Sequence, residues 1–206
     1  MILRMIYTAW TFLAFLSGSI PFSVWFGKLF LQVDVRDYGD GNPGATNIFR
    51  AGSPLLGIIT LILDVGKAAL PVGICRFLLG FDGPGMAAIA LAPVLGHMFS
   101  PFLQFKGGKA LATALGVWIG LTIWQASLPA VLGVVVGILI LSSPGWAVML
   151  AMAVILAALL TWSPDPLLLW VWAGQTALLA WSHRTDLNNK PHLHKRWNKL
   201  FKKDQE

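Results

Sequence analysis

Long apolar runs, broken only by short polar turns, most constrain what this chain can become. A membrane helix needs about 20 apolar residues in a row. Seven such segments can be marked, at about 5–30, 54–79, 84–104, 109–126, 128–142, 145–162 and 165–182. The breaks between the later ones are punctuated by glycine and proline: GFDGPG at 80–85, SSPG at 142–145 and SPDP at 163–166. Composition agrees, since 56% of the 206 residues are hydrophobic and only 12% charged, about half the charge of a soluble domain. The N-terminal run continues to Leu31 with no small-residue cleavage site, so it reads as a first span and not as a signal peptide. The expected fold is therefore an all-α polytopic membrane protein with seven transmembrane helices. Its single domain covers 1–183, with polar loops at 32–53 and 105–109, followed by a basic tail at 184–206.

Charge placement orients this layout. Seven crossings put the termini on opposite sides. Twelve of the 15 Lys and Arg residues fall on the side of the C-terminus; Arg4 and Arg76 fall on the other, and Lys67 lies inside the second span. Cytoplasmic loops carry the excess of Lys and Arg. The N-terminus is expected to be external and the C-terminus cytoplasmic, with every polar cluster on the cytoplasmic face. One cysteine, Cys75, allows no internal disulfide. Tryptophans near span ends, such as Trp124, Trp146 and Trp181, suit an interfacial belt.

Three polar stretches carry the chemistry. The first is DVRDYGDGNPGATNIFR, Asp34–Arg50. Glycines at Gly39, Gly41 and Gly44 could expose N–H groups to an anion. Arg36 and Arg50 could pair with phosphate oxygens, and Asn42, Thr46 and Asn47 add neutral hydrogen bonds. The second is FKGGK, Phe105–Lys109. It is not a Walker loop, but Lys106, Gly107, Gly108 and Lys109 precede a helix whose N-terminus favours anions. The third begins at His183, a candidate base, followed by Arg184 and Asp186. Against these readings stand plain turns, snorkelling lysines and a solvated tail. His97 ends the third span, where a histidine often only caps a helix. Asp64 and Lys67 share a helix face and can pair, either as a structural ion pair or as part of a site. His192 and His194 lack a third ligand type nearby, so no metal is expected. Together the stretches suggest a cationic pocket at the membrane surface for a phosphate-bearing, lipid-linked substrate.

With those residues in view, the chain resembles the bacterial membrane acyl-phosphate:glycerol-3-phosphate acyltransferases. The likeness lies in SGSIP (Ser17–Pro21), GNPGATN within Asp34–Arg50, DVGKA (Asp64–Ala68), GHMFSPFLQFKGGKALAT (Gly96–Thr113) and SHRTDL (Ser182–Leu187). It implies transfer of an acyl chain from acyl phosphate to glycerol 3-phosphate, giving lysophosphatidic acid. It also implies an inner-membrane location with a cytoplasmic active site, and no metal, cofactor or nucleic-acid partner. Arg50, Lys109 and His183 match as catalytic positions. Asn42, Asn47 and Gly108 match as supports, and Arg36, Asp40, Gly41, Gly44, Thr46, His97, Lys106, Gly107 and Asp186 are further candidate substrate contacts. Four residues depart from the family pattern: Asp40 stands for a serine, Ala110 for a glycine, Ser182 for an arginine and Asp186 for an asparagine. Two acids beside a phosphate site need cationic partners, with Arg36, Arg184 and Lys190 expected to serve.

Two other readings stand beside this one. A lipid or phosphate-ester transporter needs a polar path, and spans four to seven hold almost no polar residues. A catalytically altered or silent homologue, acting on another phosphate-bearing or polyol acceptor, would follow from the two acids.

Overall fold

The computed structural model describes residues 1–162 and 164–194. The distal basic tail, with Lys195, Arg196, Lys199, Lys202 and Lys203, lies outside the described residues. The described residues form helices joined by short turns, with one isolated antiparallel bridge between Leu141 and Leu193.

The chain opens with α1 (Ile2–Ser19), breaks at Ile20–Pro21, and resumes as α2 (Phe22–Phe26) running into a π-helical turn, Gly27–Leu31. The polar loop is not bare, as its spacing of glycines suggested. It holds a 3₁₀ turn, Val35–Asp37, and a short helix α3 (Ala45–Arg50). Then come α4 (Pro54–Gly73) with a π-helical end, Ile74–Leu78, and α5 (Gly83–Met98). These are followed by α6 (Leu111–Thr122), α7 (Ser127–Ile140), α8 (Pro144–Trp162), α9 (Pro166–Ser182) and the single turn α10 (Arg184–Leu187).

Each proline-bearing break is a helix start. Pro84 and Pro166 sit in first turns, where a missing N–H costs nothing. Asp82 accepts from the Gly83 N–H and Asp165 from the Leu167 N–H, so both acids cap the helices they precede.

Four helical stretches are long and apolar enough to cross a membrane: Ile2–Leu31, Pro54–Leu78, Gly83–Leu103 and Pro144–Trp162. The other three expected segments are also helical but shorter. α6, at 12 residues, rises about 18 Å at 1.5 Å per residue. The fold is thus a helical membrane bundle. Large side chains on its outside, among them Ile62, Leu132 and Leu160, are exposed, as a lipid-facing surface requires.

Inside, α1 packs along α5, α4 along α6, and α7 along α8. The α1–α5 contact is backbone against backbone. A Cβ on Gly18 would stand 2.1 Å from Pro93 O, and one on Gly96 would stand 2.1 Å from Phe15 O. Small residues permit such approach between helices in lipid, where packing replaces the hydrophobic drive.

The two ends of the bundle are tied differently. At one end Arg76 pairs with Asp82 at 3.0 Å and with Asp165 at 3.5 Å. At the other lie the three polar stretches. There the chain after α10 returns to the α7–α8 turn: Ser142 N–H donates to His192 O and Trp146 Nε1–H to Asn189 O.

Candidate active site

The end of α5 sets the glycine turn. Gly108 N–H donates to His97 O and Gly107 N–H to Met98 O, each at 3.0 Å. The turn is strained: Gln104, Phe105 and Ala110, three of the five non-glycine residues with positive φ among the described residues, fall here. Such strain concentrates at functional sites. Lys109 N–H then donates to Asn42 Oδ1 at 2.9 Å, which joins the turn to the first polar loop.

That loop folds around Asn47. Its side-chain amide donates to Asn42 O at 2.9 Å and to Asp40 Oδ1 at 3.3 Å, and its Oδ1 accepts from Arg50 Nη1 at 3.2 Å. Arg50 lies across Gly39, whose φ is +58°; a Cβ there would fall 1.8 Å from Arg50 Nη1. Only glycine fits at position 39.

The glycine N–H groups do not form the open anion seat their spacing suggested. Gly41 N–H bonds Tyr38 O and Gly44 N–H bonds Asn42 O, so both are used within the loop, as those of Gly107 and Gly108 are within the turn. The free donors lie one step on. The first α6 hydrogen bond runs from Ala114 N to Ala110 O, and no side chain caps the helix. The amides of Leu111, Ala112 and Thr113 therefore precede the helical ladder.

Lys109 is the centre of the cluster. Its Nζ lies 3.1 Å from Asp40 Oδ2 and 3.2 Å from Asp186 Oδ2. The acids thus find a cation, but it is Lys109 and not Arg36, Arg184 or Lys190. Partial burial opposes charging of Lys109, yet its two carboxylate partners outweigh that and raise its pKa. Burial likewise works against the Asp40 carboxylate, but Lys109, the Asn42 N–H and Asn47 together hold its pKa below the usual value. Lys109 and Asp40 therefore both stay charged through the physiological range.

His183, 3% exposed, follows α9. Its Nδ1 lies 2.9 Å from Leu179 O, a pure acceptor, so Nδ1 carries the proton in the neutral ring. Nε2 is left as the basic atom, an assignment that rests on the hydrogen-bond network. Burial lowers the His183 pKa, so the ring is neutral at pH 7.

Not every expected residue joins. Arg36 is taken up by Asp34, with Nε–Oδ1 at 2.9 Å and Nη2–Oδ2 at 2.6 Å. The Arg36 hydrogen bond holds the Asp34 carboxyl well below its usual range, and Asp34 in turn raises Arg36. Thr46 and Lys106 are exposed. His97 is buried behind the turn. Ser182 was missed as a site residue: its Oγ bonds Lys109 O at 3.1 Å and lies 3.0 Å from His183 Nδ1. Its sequence signals were its place beside His183 and its standing where the family has an arginine.

A helical membrane bundle carrying a lysine-centred polar cluster at one end defines an integral membrane protein with a built polar site. Residues 8–190 match the model of the glycerol-3-phosphate acyltransferase family. This chain belongs to that family. A glycerol-3-phosphate acyltransferase of Aromatoleum aromaticum is 40% identical over 179 residues, covering 84% of this chain and 87% of that protein. One of Anaeromyxobacter dehalogenans is 46% identical over 115 residues, a match spanning 54% of this chain and 57% of the relative's own length. Among solved structures, PlsY (YgiH), an integral membrane glycerol 3-phosphate acyltransferase in its glycerol 3-phosphate form, superposes with TM-score 0.81 at 31% identity, covering 95% of this chain and 98% of that one. Its lysophosphatidic acid form gives 0.79 at 29% identity.

The Ala110 backbone makes a prediction of its own. Its φ of +62° is left-handed, where Cβ is crowded. Ala110→Gly should stabilise the protein by about 1 kcal/mol, seen as a rise of about 2–4 °C in thermal unfolding in detergent. A fall would mean that the strain is not relieved by removing Cβ.

Proposed function

We propose that this chain transfers a fatty acyl group from acyl phosphate to glycerol 3-phosphate, releasing inorganic phosphate and lysophosphatidic acid, at the cytoplasmic face of a bacterial inner membrane. The observation that carries this is the meeting at Lys109 of three motif stretches far apart in sequence, through Asn42, Asp40 and Asp186.

Acyl phosphate is already activated, so the protein needs no nucleophile of its own. It must hold two anions together and neutralise them. Good alignment alone can supply about 7–11 kcal/mol of the barrier. Lys109, the Arg50 guanidinium and the leading amides of α6 bind phosphate oxygens and stabilise the departing phosphate. The acceptor hydroxyl oxygen bonds to the acyl carbon as the carbon–oxygen bond to phosphate breaks. The hydroxyl proton passes to His183 Nε2 or to a substrate phosphate oxygen. No metal or cofactor enters.

The proposed layout keeps all seven segments as crossings, with the N-terminus external, the domain ending at 183 and the tail cytoplasmic. Pairing across the bundle supports it. The meeting of loop 32–53, turn 105–109 and α10 requires an even number of crossings between them. Arg76, Asp82 and Asp165 meet at the opposite end, as the same count demands. Reporter fusions should read residues 40 and 107 as cytoplasmic and 82 and 127 as external. A cytoplasmic reading at 82 would remove the layout.

Purified protein given acyl phosphate and glycerol 3-phosphate should release phosphate and form lysophosphatidic acid. Arg50→Ala and Lys109→Ala should each cost at least about 10-fold in kcat/KM, since a charge-assisted contact contributes about 1.5–3 kcal/mol. Lys190→Ala should change little, and equal damage at Lys190 would unseat the site assignment.

If His183 is the base, its pKa, lowered from 6.5, dictates the pH profile. The neutral form persists below pH 6.5, so the acid limb of kcat/KM should fall there and vanish in His183→Gln. An acid limb above pH 7 contradicts this role.

Asp40 and Asp186 oppose an incoming phosphate. Charges about 4 Å apart at an effective dielectric of 20 repel by about 4 kcal/mol. Asp40→Ser with Asp186→Asn should therefore lower KM for glycerol 3-phosphate by at least about 10-fold. A rise in KM would make the acids working contacts for the acceptor.

A further inference from the structure

A second buried polar chain runs behind the clamp, and the mechanism above does not use it. Lys67 Nζ lies 2.7 Å from Asp64 Oδ1, 2.9 Å from Ile20 O and 2.9 Å from His97 Nδ1. An ammonium has three N–H donors and no acceptor, and these three partners use all of them. His97 Nδ1 is therefore the accepting atom, and the ring proton sits on Nε2. Thr113 Oγ1, 3.2 Å from the same Nδ1, closes that side. This tautomer is the opposite of the one at His183.

His97 is only 9% exposed, and among the described residues no hydrogen bond reaches Nε2. The Nε2 atom is not fully enclosed and keeps access to the space beside it. The group faces the glycine turn: a Cβ on Gly108 would stand 2.5 Å from Nε2 and 3.0 Å from Asn42 Oδ1. Here His97 borders a cavity of about 10 Å³ whose walls include Ile20, Pro21, Pro43 and Leu103. The space admits one oxygen-sized atom. Ser19 and Ser100 also line it, but their hydroxyls are bonded to Phe15 O and Ser19 O, so the surface it presents, where α1 breaks toward α2, is mostly apolar.

We propose that His97 is a further catalytic residue, its Nε2–H donating to the carbonyl oxygen of the acyl phosphate, with Lys67 and Asp64 as positioning residues that fix the ring tautomer. The inference rests on the acyltransferase reading. Apolar walls suit the lipid-borne donor and not the water-soluble acceptor, and Lys109 is one residue beyond Gly108. Negative charge grows on the carbonyl oxygen as the acceptor hydroxyl attacks. A neutral N–H held toward it stabilises that charge without giving up its proton. Phosphate still leaves with the bonding electrons, and the hydroxyl proton still goes to His183 or phosphate.

Wild-type protein is assayed first with acyl phosphate and glycerol 3-phosphate; failure there refutes the function and not this contact. In an active enzyme, His97→Leu should lower kcat by about 10²-fold or more, with KM for glycerol 3-phosphate within about threefold. His97→Gln, which keeps an N–H near the Nε2 position, should recover at least about 10-fold of that loss. Asp64→Leu with Lys67→Met removes the ion pair without leaving an orphan charge. It should lower kcat by about 10-fold while thermal unfolding in detergent still shows a folded protein. Nitrogen-15 NMR of labelled histidine should read His97 as the Nε2–H tautomer in the wild type and as a mixture in the double variant. A folded His97→Leu protein with normal kcat overturns the proposal, as does a loss confined to KM for glycerol 3-phosphate. Should His97→Leu not fold, an Nδ1–H tautomer in the wild type, or a folded His97→Gln whose kcat stays about 10²-fold below wild type, overturns it equally.

Discussion

Helices α1 and α5 touch backbone to backbone at Gly18 and Gly96, and the polar end of the molecule depends on that contact. The Ser100 hydroxyl donates to Ser19 O at 2.6 Å and extends the contact to the last turn. From there α5 offers His97 O and Met98 O to the glycine turn, while α1 leads through its break into the first polar loop. The crossing of two helices thus fixes where Gly108 and Asn42 can meet.

Much of the helical plan could be read from the sequence because its signals are local. The runs 54–79 and 84–104 become α4 and α5 with their short extensions, and Asp82 and Asp165 cap helices at the breaks that glycine and proline announced. Two features were not readable. The π-helical ends at Gly27–Leu31 and Ile74–Leu78 leave no mark in the apolar pattern, which does not distinguish them from α-helix. The shortness of α6 is hidden because Ile123 to Ala126 continue the apolar or neutral pattern after the helix has ended.

The site was half legible for a similar reason. Residue types at Asn42, Arg50, Lys109 and His183 announced a polar cluster, since such groups between apolar runs are costly without a use. The role of the glycines was misread: Gly39 makes room for Arg50, and the other N–H groups serve the chain itself. The partner of the two acids was also hidden. Sequence distance favoured Arg36, but a local bidentate pair with Asp34 removes it. Lys109, remote from Asp40 and Asp186 along the chain, takes its place through the fold.

The carboxylates on Lys109 are tethered rivals for any anion that approaches its ammonium. A rival on the same chain competes at an effective concentration set by backbone geometry, not by solution. The ammonium has already exchanged much of its water for oxygen ligands, so an incoming phosphate replaces one anion by another instead of stripping a hydrated ion. Affinity then becomes a difference between two exchange partners. A singly charged anion no stronger than a carboxylate gains nothing by entering, whereas a doubly charged phosphate does. Two carboxylates on one ammonium thus set a threshold that weak, singly charged anions do not pass.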